Sequence, residues 1–568
     1  MGYYLNSKKP YLMFLEDRSS RYFVDKTNIL DDLIPAVDAA ANEPDHPEES
    51  VIPSGKDPKY ICIPRPRRFG KTMAANMISS YFGKGCDSRA AFQGLAVSSR
   101  KWFARHINKH NVIHIMCNEL PDGCTSYTQY ISRIKKRLIH DLIRQFPDAL
   151  IEEEDSLWDA FNTIIEFGTG EKFIFILDEW DFIFHRDFIM VHDKMAYLDF
   201  LSSLLKDQPY VELAYLTGIL PIAKYSSGSE LNMFCEYTMV SEQKYATRFG
   251  FTSAETDKLY QKYLEQTNGH AAVTRDGLRA WYDGYDTRLG ERIYNPRSVV
   301  LAFINNNLGN YWTSSDPYDE IFSCIRNHTD AVRDDLAMLV SGTPVRAKIF
   351  EYAAVSMDLT TKNEIFSAMV VYGFLNYKNG YVSIPNQELM GQFAEMLRKE
   401  PSLGYVFRLA KVSEEMLAAT KSLHTEKMAD LLAYAHNTES PLLYYGNEAE
   451  LAMIVNMVYL AARDDYRIER EDKAGIGFVD FIFYPLKADD DCIILELKAG
   501  PTADAALRQI KKRGYAMKFQ GKLGKRLQYT GRILTVGIAY EKGKTKKHSC
   551  KIEVLRNKIP SGTRDRRV

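Results

Sequence analysis

Two short strings in this 568-residue chain carry side chains suited to handling phosphate. The first is Arg65-Pro66-Arg67-Arg68-Phe69-Gly70-Lys71-Thr72, preceded by the apolar run 59–64 and followed by a helix-forming stretch. Backbone N–H groups at a helix start point at phosphate oxygens, and the helix dipole favours negative charge there. Arg68, Phe69 and Gly70 would shape the cradle, Lys71 would reach the β- and γ-phosphates, and the Thr72 hydroxyl would ligate Mg2+. Arg65 stands where such loops usually begin with glycine, and a side chain there restricts the backbone. A basic strand-to-helix turn fits the same residues. Further on, Phe173-Ile174-Phe175-Ile176-Leu177 ends in Asp178 and Glu179. Two charges at the end of a buried strand are costly unless they serve a cation or a proton transfer. Asp178 would join the Mg2+ shell, and Glu179 would act as general base on the attacking water; a helix cap is the alternative for Asp178. Thr217, ending the run 211–217, could sense the γ-phosphate or serve as an ordinary turn threonine.

The second string is Glu496-Leu497-Lys498. The same spacing occurs at Glu242/Lys244 and Glu471/Lys473, so only its context is informative. A hairpin centred at Ala488 places Asp480 opposite Glu496, and alternation along the strand brings Lys498 to the same face. The other face is apolar throughout: Val479, Phe481 and Phe483 against Ile493, Leu495 and Leu497. One face would pack a core while the other gathers Asp, Glu and Lys. Two facing carboxylates repel unless a divalent cation lies between them, and Mg2+ prefers oxygen ligands. Asp480, Glu496 and the Leu497 carbonyl would hold it, acidifying a water and polarising a scissile phosphodiester. Lys498 would orient that water or stabilise the developing charge. A cross-strand surface salt bridge is the competing reading.

The elements that must position these residues read as α/β. Continuous rather than alternating hydrophobicity in 173–177 suits a strand buried on both faces of a parallel sheet. The polar stretch 38–58, with four prolines, reads as an exposed insertion. Residues 253–440 are mostly helical in pattern, and the last 130 residues return to mixed strand and helix. Apolar content of 45% and charged content of 26% are those of a globular protein. No apolar run reaches about 18 residues, which excludes a membrane-spanning helix. The eight cysteines include no C-x-x-C pair, and the first residues lack a basic leader ahead of an apolar core; both fit a cytoplasmic protein with reduced thiols. The balance of 73 basic and 74 acidic side chains hides a gradient: residues 505–568 hold 19 Lys and Arg against three acids. A basic end on an acidic body suggests a polyanion partner, and a solvated lysine surface is the alternative.

Taken together, Tyr22-Phe23-Val24-Asp25-Lys26-Thr27, Arg65–Thr72, Leu177-Asp178-Glu179-Trp180-Asp181, Trp281-Tyr282-Asp283-Gly284-Tyr285 and Tyr294-Asn295-Pro296-Arg297-Ser298 resemble the bacterial AAA-ATPase-like family. Its members usually carry a C-terminal PD-(D/E)XK nuclease-like domain. Arginine at the first loop position is usual there, whereas Trp180 and Arg297 replace a common tyrosine and tryptophan. The resemblance implies ATP as the nucleotide, places 22–27 near it, and makes Glu448, Gln509 and Tyr515 accessory to the nuclease-like site; Trp281–Tyr285 reads as packing. The expected architecture is a P-loop NTPase domain with a parallel sheet over 1–252, a helical connector over 253–440 and an α/β restriction-endonuclease-like domain over 441–568. Arg508, Lys511, Lys512, Arg513, Lys518, Lys522, Lys525 and Arg526 would grip a nucleic-acid backbone, DNA before RNA, without reading bases. ATP binding or hydrolysis, with Mg2+, would gate Mg2+-dependent phosphodiester cleavage or remodel an assembly. A nucleotide-regulated switch that binds nucleic acid without cutting it is the rival. A homo-oligomer is compatible with the sequence; no arginine stands out as a trans-acting finger, and Arg248 is merely a candidate.

Overall fold

A computed structural model describes residues 2–38, 56–167, 170–222, 231–240, 243–312, 325, 328–349, 359–437, 448–473, 478–500, 502–513, 529–541 and 547–555. The proposed insertion lies mostly outside them, as do Tyr515, Lys518, Lys522, Lys525 and Arg526. The chain divides into two compact units: residues 1–324 with 346–388, and residues 325–345 with 389–568. The helical stretch 253–440 therefore contributes to both. Among the described residues no helix is long and apolar enough to cross a membrane.

The first unit is built on five parallel strands: β1 (Tyr60–Pro64), β2 (Asn111–Met116), β3 (Phe173–Asp178), β4 (Val211–Gly218) and β5 (Cys235–Glu236). Their order is β2-β3-β4-β1-β5. Every residue of β1 and β3 is buried, as continuous apolar runs require when helices cover both faces. Helix α1 (Lys9–Ser19) packs against α2 (Lys71–Phe82). Helix α3 (Tyr127–Gln145) buries Tyr130, Ile131, Ile134, Leu138 and Leu142 at three- and four-residue spacing, the stripe of an amphipathic helix. Its Asp141 also accepts the N–H groups of Tyr3, Tyr4 and Leu5 at 2.8, 2.6 and 3.1 Å, pinning the start of the chain. A second core gathers Tyr22, Tyr263, Tyr282, Tyr294 and Phe303. Within Trp281–Tyr285, Tyr282 and Tyr285 are buried, and the Tyr285 hydroxyl donates to the Gly373 carbonyl at 2.9 Å. Gly284 has φ 130° and lies so close to the Pro385 carbonyl that no side chain would fit. That motif packs, as read.

The second unit has a sheet of β6 (Tyr466–Lys473), β7 (Phe478–Pro485), β8 (Cys492–Ala499), β9 (Ile533–Glu541) and β10 (Lys547–Leu555), ordered as numbered. All neighbours are antiparallel except β8 and β9. A parallel pair needs a crossover, and α5 (Ala503–Arg513) lies on that connection, following α4 (Glu448–Val458) earlier in the unit. This corrects one expectation. The face carrying Asp480 and Glu496 is not polar along its length: Ile482 and Ile494 on it pack beneath Leu507 and Ile510 of α5. The opposite face is apolar as expected, with Phe483 against Tyr459 and Tyr466. A sheet carrying a crossover helix is covered on both faces along part of its length, so the acids share their face with buried apolar residues. The helix that follows β8 and carries the first of the basic residues is described as Ala503–Arg513.

Candidate functional site

The phosphate-binding loop connects β1 to α2. Arg68 (φ 69°) and Gly70 (φ 89°) are both left-handed, and Gly70 is the N-cap of α2. A side chain at Gly70 would meet no atom, so the glycine serves backbone conformation rather than space. The buried Lys71 ammonium donates to the carbonyls of Arg65 and Pro66 at 3.0 Å each. Burial depresses its pKa, while Asp181, Glu179 and Asp178 hold it up.

Insertion of β4 between β1 and β3 sets the polar residues beside this loop. Thr217 pairs in register with Ile63 on one side and Asp178 on the other. It is a strand residue, fully buried, with its hydroxyl 3.4 Å from the Ile63 carbonyl; the turn alternative lapses. Asp178 ends β3, 1% exposed, and among the described residues neither carboxylate oxygen has a donor in hydrogen-bonding geometry. It caps no helix, because the next element is the 3₁₀ turn Phe182–His185 with Asp181 at its N-cap. Burial first, and then Glu179, raise the Asp178 pKa to about 7; the Thr72 hydroxyl and Lys71 offset only part of this. A buried carboxylate left without a donor beside a threonine hydroxyl fits a divalent cation. Glu179 follows in a left-handed conformation, φ 53°, and is half-buried.

The raised pKa has a measurable consequence. Folded Asp178 holds its proton more tightly than unfolded Asp178, so its contribution is most favourable at low pH and is lost as pH rises through about 7. Asp178→Asn should therefore stabilise the ligand-free protein at pH 8 by roughly 1–4 kcal/mol, with the gain vanishing near pH 4. Urea unfolding at the two pH values reads this directly; equal effects at both would contradict it.

Two residues act here in ways the sequence did not disclose. Arg65 is fully buried and, among the described residues, has no acidic partner. Its guanidinium donates to the carbonyls of Pro64 at 2.8 Å, Tyr237 at 2.6 Å and Tyr245 at 3.1 Å, and lies over the Phe249 ring. It ties the loop to the segment that also carries Arg248 and Gly250. Arg65→Gly restores the commoner loop residue, yet it should destabilise the fold by about 2–4 kcal/mol, because three buried carbonyls lose a charged donor. It should also weaken nucleotide binding. An unchanged melting temperature would contradict this. Asp181 is the other: its Oδ2 accepts the N–H groups of Ile219 and Leu220 at 2.9 and 2.8 Å, fixing the turn after β4. Gly218 lies against Asp181 and Trp180 so closely that a Cβ would stand 2.4 Å from Asp181 Oδ1. The acid was visible in Leu177–Asp181, but its partners were not.

A cavity of about 780 Å³ opens over the loop. Phe69, Gly70, Lys71, Thr72, Glu179 and Asp181 line it, and so do 22–24, 26 and 27 of the Tyr22–Thr27 motif. Lys26 is held by Glu255 at 2.8 Å and Arg248 by Asp32 at 2.5 Å. Both line the cavity from within the same unit.

In the second unit, β7 and β8 pair Phe481 with Leu495, Ile482 with Ile494 and Phe483 with Ile493. That is the register expected from the hairpin, and continued by one step beyond the paired residues it would set Asp480 opposite Glu496. The Asp480 Oδ2 accepts the Leu497 N–H at 2.7 Å. Glu496 is 2% exposed; its Oε1 faces Lys498 Nζ at 3.5 Å and accepts from the Gln509 amide, while its Oε2 has no partner among the described residues. Burial, and after it the Asp480 charge, raise the Glu496 pKa to about 7. Lys498 also reaches Glu448 Oε1, at the start of α4, at 3.3 Å. The chain thus gathers Asp480, Glu496, Lys498, Glu448 and Gln509. Among the described residues no group of three or more His, Cys, Asp or Glu side chains converges as a metal cluster. The donor set is instead two facing carboxylates, one with a buried free oxygen, and that set fits a divalent cation. On α5, Arg508 and Lys512 are exposed, whereas Lys511 pairs with Glu553 at 2.6 Å. The described part of the basic surface is therefore partly neutralised.

Comparison with known proteins follows the same division. Residues 54–227 match the family described as "Predicted AAA-ATPase", and residues 446–547 match the PD-(D/E)XK nuclease superfamily. The "Uncharacterized protein in vnfD 5'region" of Azotobacter chroococcum mcd 1 is 24% identical over 493 residues, covering 82% of this chain and 87% of that one. Among solved structures, the Walker-type ATPase paby2304 of Pyrococcus abyssi is 14% identical, with a TM-score of 0.30 over 59% of this chain and 90% of that one. The ORC2 protein of Aeropyrum pernix is 10% identical, with a TM-score of 0.27 over 60% and 88%. Likenesses at those scores carry no argument. On the two family matches, the chain joins an AAA-ATPase-like domain to a domain of the PD-(D/E)XK nuclease superfamily.

Proposed function

We propose that the first unit binds and hydrolyses ATP with Mg2+, and that the second cleaves nucleic-acid phosphodiesters, DNA before RNA, under control of the nucleotide. The observation that carries the first half is the buried, donorless Asp178 carboxylate beside Thr72 at the mouth of the loop. Lys71 would leave the Arg65 and Pro66 carbonyls for the β- and γ-phosphates, joined by backbone N–H groups at the start of α2. Thr72 and Asp178 would hold the cation, and Thr217 would align the water. Glu179 takes the proton of that water as it adds to the γ-phosphorus and the bond to ADP breaks.

In the second unit Asp480 and Glu496 would hold a cation that supplies Lewis acidity toward a phosphate oxygen. Lys498 stabilises charge developing on the phosphate. Glu448 and Gln509 are positioning residues, holding Lys498 and Glu496 respectively; Tyr515 is assigned with them by family resemblance alone. Arg508 and Lys512 contact the backbone of the nucleic acid. The rival, a grip without cleavage, draws on the absence of a three-carboxylate cluster among the described residues.

The test is calorimetric titration of the wild type and Lys71→Ala with ATP and Mg2+, followed by plasmid and single-stranded DNA incubations with and without each. ATP binding lost in the variant, and cleavage requiring Mg2+, supports the proposal. ATP binding without cleavage of either substrate leaves the switch. Binding of neither ATP nor DNA by the wild type contradicts both readings.

A further inference from the structure

At about 780 Å³ the cavity over the loop has room for an entire nucleotide, not only its phosphates. Helix α1 supplies Phe14 and Asp17, one turn apart on the same face, and α2 supplies Met73 and Met77. Phe23 and Phe251 add aromatic surface. Walls of that kind suit the flat, apolar face of a base. A base also has a polar edge, which needs a matching group.

Three carboxylates line this space: Asp17, Glu179 and Asp181. Asp181 is committed to the N–H groups of Ile219 and Leu220, and Glu179 stands beside the loop at the end of β3. Asp17 is half-buried and, among the described residues, its carboxyl makes no hydrogen bond or ion pair. The cations Lys26 and Arg248 on the same lining are paired elsewhere. Burial, aided by Glu16, raises the Asp17 pKa to about 6. A carboxylate placed against apolar surface without a donor is unfavourable until a ligand supplies one.

We propose that Asp17 reads the base of the bound nucleotide by accepting hydrogen bonds from an amino-bearing purine edge. This rests on the nucleotide reading above. An ionised carboxylate only accepts, so it favours the exocyclic amine of adenine or guanine over hypoxanthine, which keeps a ring N1–H but has no exocyclic amine and sets a carbonyl where adenine has its amine. Asp17 is thus a specificity residue and takes no part in the chemistry.

The test compares Kd values of the full chain for ATP, GTP, ITP and inorganic tripolyphosphate, in wild type, Asp17→Ala and Asp17→Asn. Wild type should bind ATP or GTP at least about tenfold more tightly than ITP, the effect of one charged hydrogen bond. Which of the two is tighter identifies the base. Asp17→Ala should bring the ratio to ITP near unity, and Asp17→Asn, which can donate to the hypoxanthine carbonyl, should also lower it. Tripolyphosphate should bind all three proteins alike. A ratio unchanged in both variants, or wild-type nucleotides binding no better than tripolyphosphate, overturns the assignment of Asp17 and leaves the phosphate site standing. Failure of every ligand, tripolyphosphate included, overturns the phosphate site and the inference with it.

Discussion

Glu179→Gln should slow ATP turnover by about 10²–10⁴-fold, the range for losing a general base, while ATP affinity changes only a few-fold. The side chain stands just past the end of β3, and its chain neighbours are fixed on both sides: Asp178 precedes it in register with Thr217, and the Trp180 N–H donates to the Thr217 carbonyl at 3.1 Å. Glutamine keeps shape and hydrogen-bonding reach but cannot take a proton from water. Lys71→Ala differs in kind. It removes the buried ammonium that would contact phosphate, so binding and turnover fall together. Steady-state kinetics paired with equilibrium binding separates the two outcomes. A glutamine variant that turns over ATP at the wild-type rate would remove Glu179 from the chemistry.

Asp480→Ala should reduce nucleic-acid cleavage by about 10³-fold or more, since loss of a metal ligand forfeits several kcal/mol of charge stabilisation. ATP turnover should be unaffected, because Asp480 belongs to the second compact unit and the phosphate-binding loop to the first. Lys498→Ala should reduce cleavage as well, with the substrate-binding step spared more than the chemical step. The Asp480 change also removes the charge that helps raise the Glu496 pKa. Residual cleavage in that variant should therefore shift its pH profile to lower pH, a movement that mere loss of fold would not produce. Cleavage at the wild-type rate in Asp480→Ala would assign the activity elsewhere.

Much of this arrangement was legible because its determinants are local. The continuous apolar run Phe173–Leu177 suits a strand buried on both faces of a sheet, which puts the acids that follow it at the strand's carboxyl end. The register of Asp480 against Glu496 followed from alternation within one hairpin. What escaped depends on contacts distant in sequence. The carbonyls that satisfy Arg65 lie 172 and 180 residues further on, so the arginine looked like an obstacle to the loop when it is an anchor. Asp181 meets its partners 38 and 39 residues away. Arg248 gave no sign that Asp32 holds it within the same unit. The second face of the nuclease-like sheet was misread because the acids at its end drew attention from Ile482 and Ile494, which the crossover helix buries.

The claim on which the nuclease assignment depends is that Asp480 and Glu496 together bind one divalent cation. Titrating the nucleotide-free chain with Mn2+, followed by electron paramagnetic resonance, counts bound ions without relying on activity. The wild type should bind one equivalent more than Asp480→Ala. Equal stoichiometry in the two proteins would contradict the account.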